Sequence, residues 1–206
     1  MTSKQSIINR SIHKLTIQKR KAMTILRIYD EQNPKSPEAV IEDYADIANA
    51  LHDMGICFER WPMRELKQGA SQEDVLAAYA TEIMHFNAEE CQFSTADVIS
   101  LTPEHPDKKA LRQKFLSEHQ HTEDEVRFFA AGQGLFYLHI DNKVYVILCQ
   151  AGDLISVPDG AKHWFDMGPE PSFTCIRLFS NPEGWVADFT GDNIAEKFPR
   201  FETLVG

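Results

Sequence analysis

The sequence lacks the long apolar run that a membrane span requires. A helix needs about 20 consecutive apolar residues to cross a bilayer, whereas the apolar runs here are short, such as residues 144–149. It also lacks an excess of basic charge, because 21 Lys and Arg stand against 31 Asp and Glu, a formal net charge of −10. Such a chain repels a phosphate backbone, so we expect neither a membrane nor nucleic acid as a partner.

Cysteine is scarce, and its spacing shows no pairing. Cys57, Cys91, Cys149 and Cys175 form no C-x-x-C motif, and no cleavable apolar leader precedes them. Both observations favour reduced thiols in a cytoplasmic protein. A length of 206 residues fits one substantial domain with its own core, and we expect a monomer.

Residues 1–22 differ in composition from the rest of the chain. They carry six Lys and Arg and no Asp or Glu, and the first strand-like run begins just after Met23. Such a composition is found in organelle transit peptides, but we favour a disordered extension or an upstream start codon. The predicted organisation is a basic, disordered extension over residues 1–22 and a single domain over residues 23–206.

The first half of the chain indicates helices beside a few strands. Ser36 followed by Pro37 predicts the start of a helix that continues through Leu51. A second helix is expected to begin at Ser71, and a short one is expected over residues 107–115.

From Glu118 onward, short apolar runs alternate with turns rich in Gly, Asp and Asn. We interpret residues 132–134 as a hairpin turn and residues 191–198 as a closing helix. The alternation of short apolar runs with turns is typical of an antiparallel sandwich or barrel. The predicted fold class is therefore mostly β with flanking helices.

Residues of metal-ligand type cluster in this second half. His119 and His121 alternate, so a strand would point both side chains to one face. Glu125, four residues further on, can point to that face from the same strand. A turn at residues 158–160 can return His163 to the same place. An H-x-H pair alone can also be two polar residues on a solvated face. Three imidazoles and a carboxylate together suit Fe, Ni, Mn or Co and leave positions for substrate or water, which favours metal-assisted chemistry.

The two spacings resemble the signature motifs of the cupin superfamily. H-x-H-x3-E-x6-G ends at Gly132, and G-x5-P-x-G-x2-H begins at Gly152. Gln113 and Met167 depart from the usual Gly and Asn of those motifs, but neither position is a ligand. The resemblance implies a cupin-type antiparallel β-barrel, also called a double-stranded β-helix or jelly roll, that holds a metal ion.

Longer runs are similar to the bacterial acireductone dioxygenase family. They cover residues 118–121, 124–129, 132–136, 152–158, 163–168, 176–179, 181–185 and 189–192, and the similarity extends from near Met23 almost to the end. The resemblance implies a methionine-salvage enzyme that cleaves the acireductone 1,2-dihydroxy-3-keto-5-methylthiopentene with O2. The Fe(II) form would give 2-keto-4-methylthiobutyrate and formate, and the Ni(II) form 3-methylthiopropionate, formate and carbon monoxide.

By the same resemblance, four residues would bind one Fe(II) or Ni(II) per chain. They are His119, His121, Glu125 and His163. Arg127 lies two residues beyond Glu125, so it can point into the same cavity and stabilise an anionic substrate. We expect Arg127 to be the main catalytic side chain.

Further side chains could support this site. Glu118 and Asp124 flank the ligands and could orient imidazole N–H groups, or they could be two solvated acids. Arg177 is a weaker candidate for the anionic substrate, and a structural ion pair explains it equally well. Phe165 and Phe128 could line a pocket for the methylthio tail, although aromatic residues of a small barrel are more often core.

Two other functions stay open. One is a different cupin oxygenase or isomerase with the same ligands, and the other is a non-catalytic, metal-stabilised cupin that binds a small molecule. Glu125 together with Arg127 favours catalysis. His139 belongs to no motif, and we expect it to be structural.

Overall fold

The computed structural model describes residues 23–67, 69–89, 93–180 and 186–205. The predicted basic extension over residues 1–22 lies outside these ranges. The strands are β1 (Ile25–Asp30), β2 (Ala39–Ile41), β3 (Cys57–Arg60), β4 (Thr95–Leu101), β5 (His119–Gln120), β6 (Glu125–Ile140), β7 (Lys143–Gln150), β8 (Asp153–Val157), β9 (Lys162–Asp166), β10 (Phe173–Phe179) and β11 (Asp188–Phe189). The helices are α1 (Tyr44–His52), α2 (Gln72–Ala78), α3 (Ala80–Glu89), α4 (Lys108–Phe115) and α5 (Phe201–Leu204), with a 3-10 turn at Ile194–Glu196.

Two antiparallel sheets share the long strand β6. Its C-terminal part lies in a sheet of order β11-β5-β9-β6-β7-β1-β2. Its N-terminal part pairs with β10 and β8, which pair in turn with β4 and β3. The described strands do not close into a continuous barrel, and the molecule is an antiparallel β-sandwich with helices at its sides. The predicted class, mostly β with flanking helices, is confirmed.

The hairpin turn predicted at residues 132–134 is wrong, because β6 runs through it without a break. Gly132 has φ +75°, and any Cβ placed there would clash with the carbonyl oxygen of Ser172. The pairing with β10 shifts register between Thr174 and Cys175, close to this glycine. Such a bulge bends a strand, which lets β6 pass from one sheet into the other.

The helix predicted from Ser36 is also wrong at its start. β2 occupies its first part, with Val40 paired to Arg27 of β1. The helix begins only after Asp43, whose carboxylate accepts the backbone N–H of Ala45 at 2.9 Å. The carboxylate of Asp43 accepts from N–H groups at the start of the helix, and the pairing with β1 satisfies backbone groups of β2. The segment before Asp43 therefore needs no helix to satisfy its backbone.

The other expected helices differ in outcome. α2 begins after Ser71, whose hydroxyl accepts from the backbone N–H of Asp74 while that carboxylate reaches back to the cap. α4 lies where a short helix was expected. The closing helix expected over residues 191–198 is only the 3-10 turn Ile194–Glu196. None of the helices in the described ranges is long and apolar enough to span a bilayer.

Alternation along β6 decides which side chains lie between the sheets. Phe129 packs in the core between them with Phe136 and Phe165, whereas Phe128 packs on the other face of β6 under α2 and α3. Residues two apart share a face. Glu125 and Arg127 therefore lie on the same inner face as Phe129.

Candidate metal centre

Three strands, and the residue just after the end of β5, bring the four predicted ligands together. β5 carries His119, which is paired directly with His163 of β9, and β6 begins at Glu125. One donor atom from each of these residues and from His121 lies within 4.8 Å of the others, and all four residues are buried. Such a set of imidazoles and one carboxylate can hold a divalent transition-metal ion.

Backbone carbonyls hold all three imidazoles by Nδ1. The distances are 2.7 Å from His119 to Ser117 O, 2.9 Å from His121 to Val186 O and 2.8 Å from His163 to Ala161 O. A carbonyl oxygen only accepts, so Nδ1 carries the proton and Nε2 presents its lone pair inward. This is the outer hydrogen bond that orients metal-binding histidines.

The carboxylate of Glu125 completes the cluster. Its Oε2 lies 3.0 Å from His121 Nε2 and 3.1 Å from His163 Nε2. With Nδ1 protonated, an uncharged ring has only a lone pair at Nε2, so each contact with the carboxylate needs a second proton on the ring or a cation between the two atoms. One metal ion satisfies both contacts at once, so the donor set fits a metal ion.

Charge and burial set the protonation of the cluster. Burial and the neighbouring His163 lower the pKa of His119 to about 4, so this ring is neutral at pH 7. Burial alone would raise the pKa of Glu125, but Arg127 and the hydrogen bonds of the two histidines hold it well below its usual range. Burial alone would lower the pKa of His121, but Glu125 outweighs burial and raises it.

Arg127 lies beside the cluster on the inner face of β6. Its Nη2 is 2.7 Å from Glu125 Oε1, and the residue is only 6% exposed. The guanidinium carbon lies 4.7 Å from the ring centroid of Phe165 and 5.2 Å from that of Phe136. The predicted Arg127 and Phe165 are thus both brought to the site, with the arginine between an acid and two aromatic faces.

The two flanking acids have different surroundings. Glu118 is 1% exposed and accepts hydrogen bonds from the Thr190 hydroxyl and His139 Nδ1, each at 2.8 Å. It is therefore no solvated surface acid. Asp124 accepts the backbone N–H of Asp159 at 3.0 Å and so ties the start of β6 to the turn that precedes His163.

Two of the predicted pocket residues are engaged elsewhere. Arg177 binds Asp97 through two guanidinium nitrogens, with Nε 2.7 Å from Oδ1. Phe128 contacts Trp61 and Tyr79, each at 4.7 Å between ring centroids. The structure therefore places Arg177 in an ion pair and Phe128 in the core, on the face of β6 opposite to Arg127.

Sequence reasoning missed some of the groups that hold the site. Val186 O is 65 residues from His121 in the chain, and no local pattern indicates that bond. His139 contacts Glu31 across 108 residues of chain and Glu118 across 21. Ser117 and Ala161 each lie two residues before their histidine, so the spacing could have indicated those two bonds.

Comparison with known proteins gives the relatives of this chain. A family model described as the ARD/ARD′ family matches residues 25–187. The acireductone dioxygenase of Hahella chejuensis is 61% identical over 183 residues, which cover 89% of this chain and 98% of that protein. The acireductone dioxygenase of Marinobacter nauticus is 57% identical over 184 residues, 89% of this chain and 99% of its own length.

A solved structure agrees with the sequence relatives. Acireductone dioxygenase from Bacillus anthracis, with a cadmium ion in its active centre, superimposes with a TM-score of 0.70 at 31% identity. The match covers 82% of this chain and 99% of that one. These comparisons confirm the resemblance and the enzyme class that the sequence predicted. The chain belongs to the acireductone dioxygenase family, whose members are oxygen-incorporating enzymes.

Proposed function

We propose that this protein cleaves the acireductone 1,2-dihydroxy-3-keto-5-methylthiopentene with O2 in methionine salvage. The Fe(II) form gives 2-keto-4-methylthiobutyrate and formate, and the Ni(II) form gives 3-methylthiopropionate, formate and carbon monoxide. The observation that carries the proposal is the buried cluster of three imidazoles and one carboxylate, with each ring anchored by Nδ1.

In this proposal, His119, His121, Glu125 and His163 hold one Fe(II) or Ni(II) per chain. The chemistry that such an ion supplies when bound is Lewis-acid polarisation and orientation of substrate oxygens. The chain's part is to keep Nε2 of each of the three rings aimed inward through its Nδ1 bond. Glu125 directs one oxygen to the histidines and the other to Arg127, which fixes the orientation of its carboxylate.

Arg127 is proposed as the catalytic side chain. A guanidinium has several N–H donors, so it can hold Glu125 and also donate to the oxygens of an anionic substrate. Burial against Phe165 and Phe136 excludes water, and exclusion of water strengthens the attraction between the guanidinium and that anion. Phe165 thereby belongs to the proposed substrate cavity.

The other predicted residues receive smaller roles. Glu118 and Asp124 support the ligand-bearing segments through their hydrogen bonds. Arg177 would act on the substrate only if it leaves Asp97, so we assign it to the ion pair. We further propose that residues 23–206 are one domain of a cytoplasmic monomer that acts without nucleic-acid or membrane partners.

The ligand assignment is tested by the metal content of His163→Ala, with His52→Ala as a matched control, since His52 is exposed at the end of α1. We expect the His52 variant to retain one Ni(II) per chain and to turn over acireductone. The His163 variant should lose both properties. Full metal retention by the His163 variant would contradict the assignment.

A different substrate is the strongest competing function. If the protein acts on a different substrate, the two variants will have the metal contents predicted above, but metal-loaded wild type will not consume acireductone. Uptake of O2 by the metal-loaded protein, only in the presence of acireductone, separates this alternative from the proposed reaction.

A further inference from the structure

A partly buried chain of hydrogen bonds holds Glu118, the residue that precedes His119. His139 Nδ1 is 2.8 Å from Glu118 Oε2, and His139 Nε2 is 2.9 Å from Glu31 Oε2. Thr190 Oγ1 donates to the other oxygen of Glu118 at 2.8 Å. Both carboxylate oxygens of this buried glutamate are therefore engaged.

The position of His139 suits it to fix its neighbours. It lies on β6, the strand common to both sheets, and the preceding residue, Leu138, is paired with His163 of β9. The side chain is 13% exposed, against 1% for that of Glu118 and 28% for that of Glu31. Glu118 therefore receives one of its two side-chain hydrogen bonds from the strand that both sheets share.

Glu118 lies between the two residues that set one ring of the metal centre. Its predecessor Ser117 supplies the carbonyl that accepts from His119 Nδ1. Its own carbonyl accepts the N–H of Thr190 at 3.2 Å, next to the pairing of Phe189 with His119. Movement of Glu118 would therefore move the ring of His119, its Nδ1 acceptor and the adjoining edge strand together.

We propose that His139 is a positioning residue for the metal centre. Its hydrogen bond to Glu118 fixes residues 117–119, and this aims Nε2 of His119 at the metal position. The inference rests on the proposed function, because it requires that an ion be bound there. The bond to Glu31 holds the outer side of the ring and contributes less.

The test uses two variants of nearly equal size and polarity. The amide nitrogen of Asn takes the place of His Nδ1, and that of Gln takes the place of His Nε2. His139→Asn should therefore keep the bond to Glu118, whereas His139→Gln should lose it. Ni(II) release into excess chelator is followed by absorbance, and urea unfolding is measured in parallel.

We expect His139→Gln to release Ni(II) about tenfold faster than the wild type, the lower end of what loss of outer-sphere support costs. His139→Asn should stay close to the wild-type rate. Val144→Ala is the stability control, because Val144 is fully buried and is the cross-strand partner of His139. It should unfold at lower urea while its release rate is unchanged.

Glu118→Leu reports on the same bond from the other partner if His139→Gln fails to fold. Leucine has a similar size but removes both oxygens that accept from His139 and Thr190, so faster release is expected again. Equal release from the Asn and Gln variants, or wild-type release from Glu118→Leu, would overturn the inference and leave the proposed metal site intact. Wild-type protein that retains no Ni(II) would contradict the proposed metal site and this inference together.

Discussion

Replacement of Arg127 by Met should tighten metal binding while it abolishes turnover. The guanidinium lies 2.7 Å from Glu125 Oε1, and Glu125 is 2% exposed. Methionine fills much of the same space beside Phe165 but carries no charge. The metal-free variant therefore keeps a buried carboxylate that has lost its cationic neighbour.

The expected magnitude follows from that geometry. Removal of one partner from a buried ion pair costs about 3–5 kcal/mol, and we expect about 3 kcal/mol because His121 and His163 also face this carboxylate. A divalent ion at the histidines supplies positive charge, so the cost falls mainly on the metal-free protein. By linkage, Ni(II) should bind the variant about 100-fold more tightly, since 1.36 kcal/mol is tenfold. Loss of the guanidinium also removes its repulsion of the bound Ni(II), and this too favours tighter binding by the variant.

Urea unfolding of metal-free and Ni(II)-loaded protein, together with Ni(II) affinity from chelator competition, measures this coupling. Arg177→Met is the matched control, because Arg177 is the cross-strand partner of Arg127 but binds Asp97. The control should leave Ni(II) affinity unchanged. Turnover by the Arg127 variant should fall at least about 100-fold. Equal destabilisation with and without metal, or weaker Ni(II) binding, would refute the reasoning.

Three further predictions concern stability, pH and thiol chemistry. Asp166→Ala should lower the free energy of unfolding by about 3 kcal/mol in urea titrations, because it leaves the largely buried Arg112 without a fully buried bidentate partner; an unchanged midpoint would contradict this. Metal affinity should fall as pH drops from about 8 to about 6, since Glu125 raises the pKa of His121 and a proton then competes with the ion. Titration calorimetry at both pH values checks this, and a constant affinity would disprove it. Burial raises the thiol pKa values of Cys149 and Cys175, the latter to about 12, so both should react with a thiol reagent only after unfolding; rapid labelling of either in native protein would show that the packing is wrong.

Most of the candidate metal cluster was predictable because three of its four residues are close in the chain. His119 and His121 alternate on one short segment and Glu125 begins the next strand, whereas His163 returns beside His119 on β9, 38 residues beyond Glu125. Period-two alternation fixes which side chains share a face. Arg127 follows from the same rule, because it lies two residues beyond Glu125 on β6.

The errors arise where distant pairing overrides a local signal. Ser36 and Pro37 are good helix-start residues, yet the pairing of Val40 with β1 makes the following segment a strand. Gly132 and Gly134 resemble a turn, yet the bulge opposite β10 keeps β6 continuous. Propensity is a weak preference that tertiary contacts override.

The support behind His119 depends on contacts that no spacing reveals. His139 reaches Glu31 over 108 residues of chain and Glu118 over 21. Alternation places His139 on a face of β6 but does not identify its partners. Its hydrogen bonds could be found only once the sheet order was known.

The central claim is that the buried histidine and glutamate cluster carries out metal-dependent cleavage of acireductone by O2. The most direct test is O2 uptake with product analysis, after enzymatically generated acireductone is mixed with separate Fe(II)-loaded and Ni(II)-loaded protein, with His163→Ala as the blank. We predict rapid uptake that gives 2-keto-4-methylthiobutyrate and formate with iron, and 3-methylthiopropionate, formate and carbon monoxide with nickel. Absence of uptake by both preparations, each verified to hold one ion per chain, would contradict the claim.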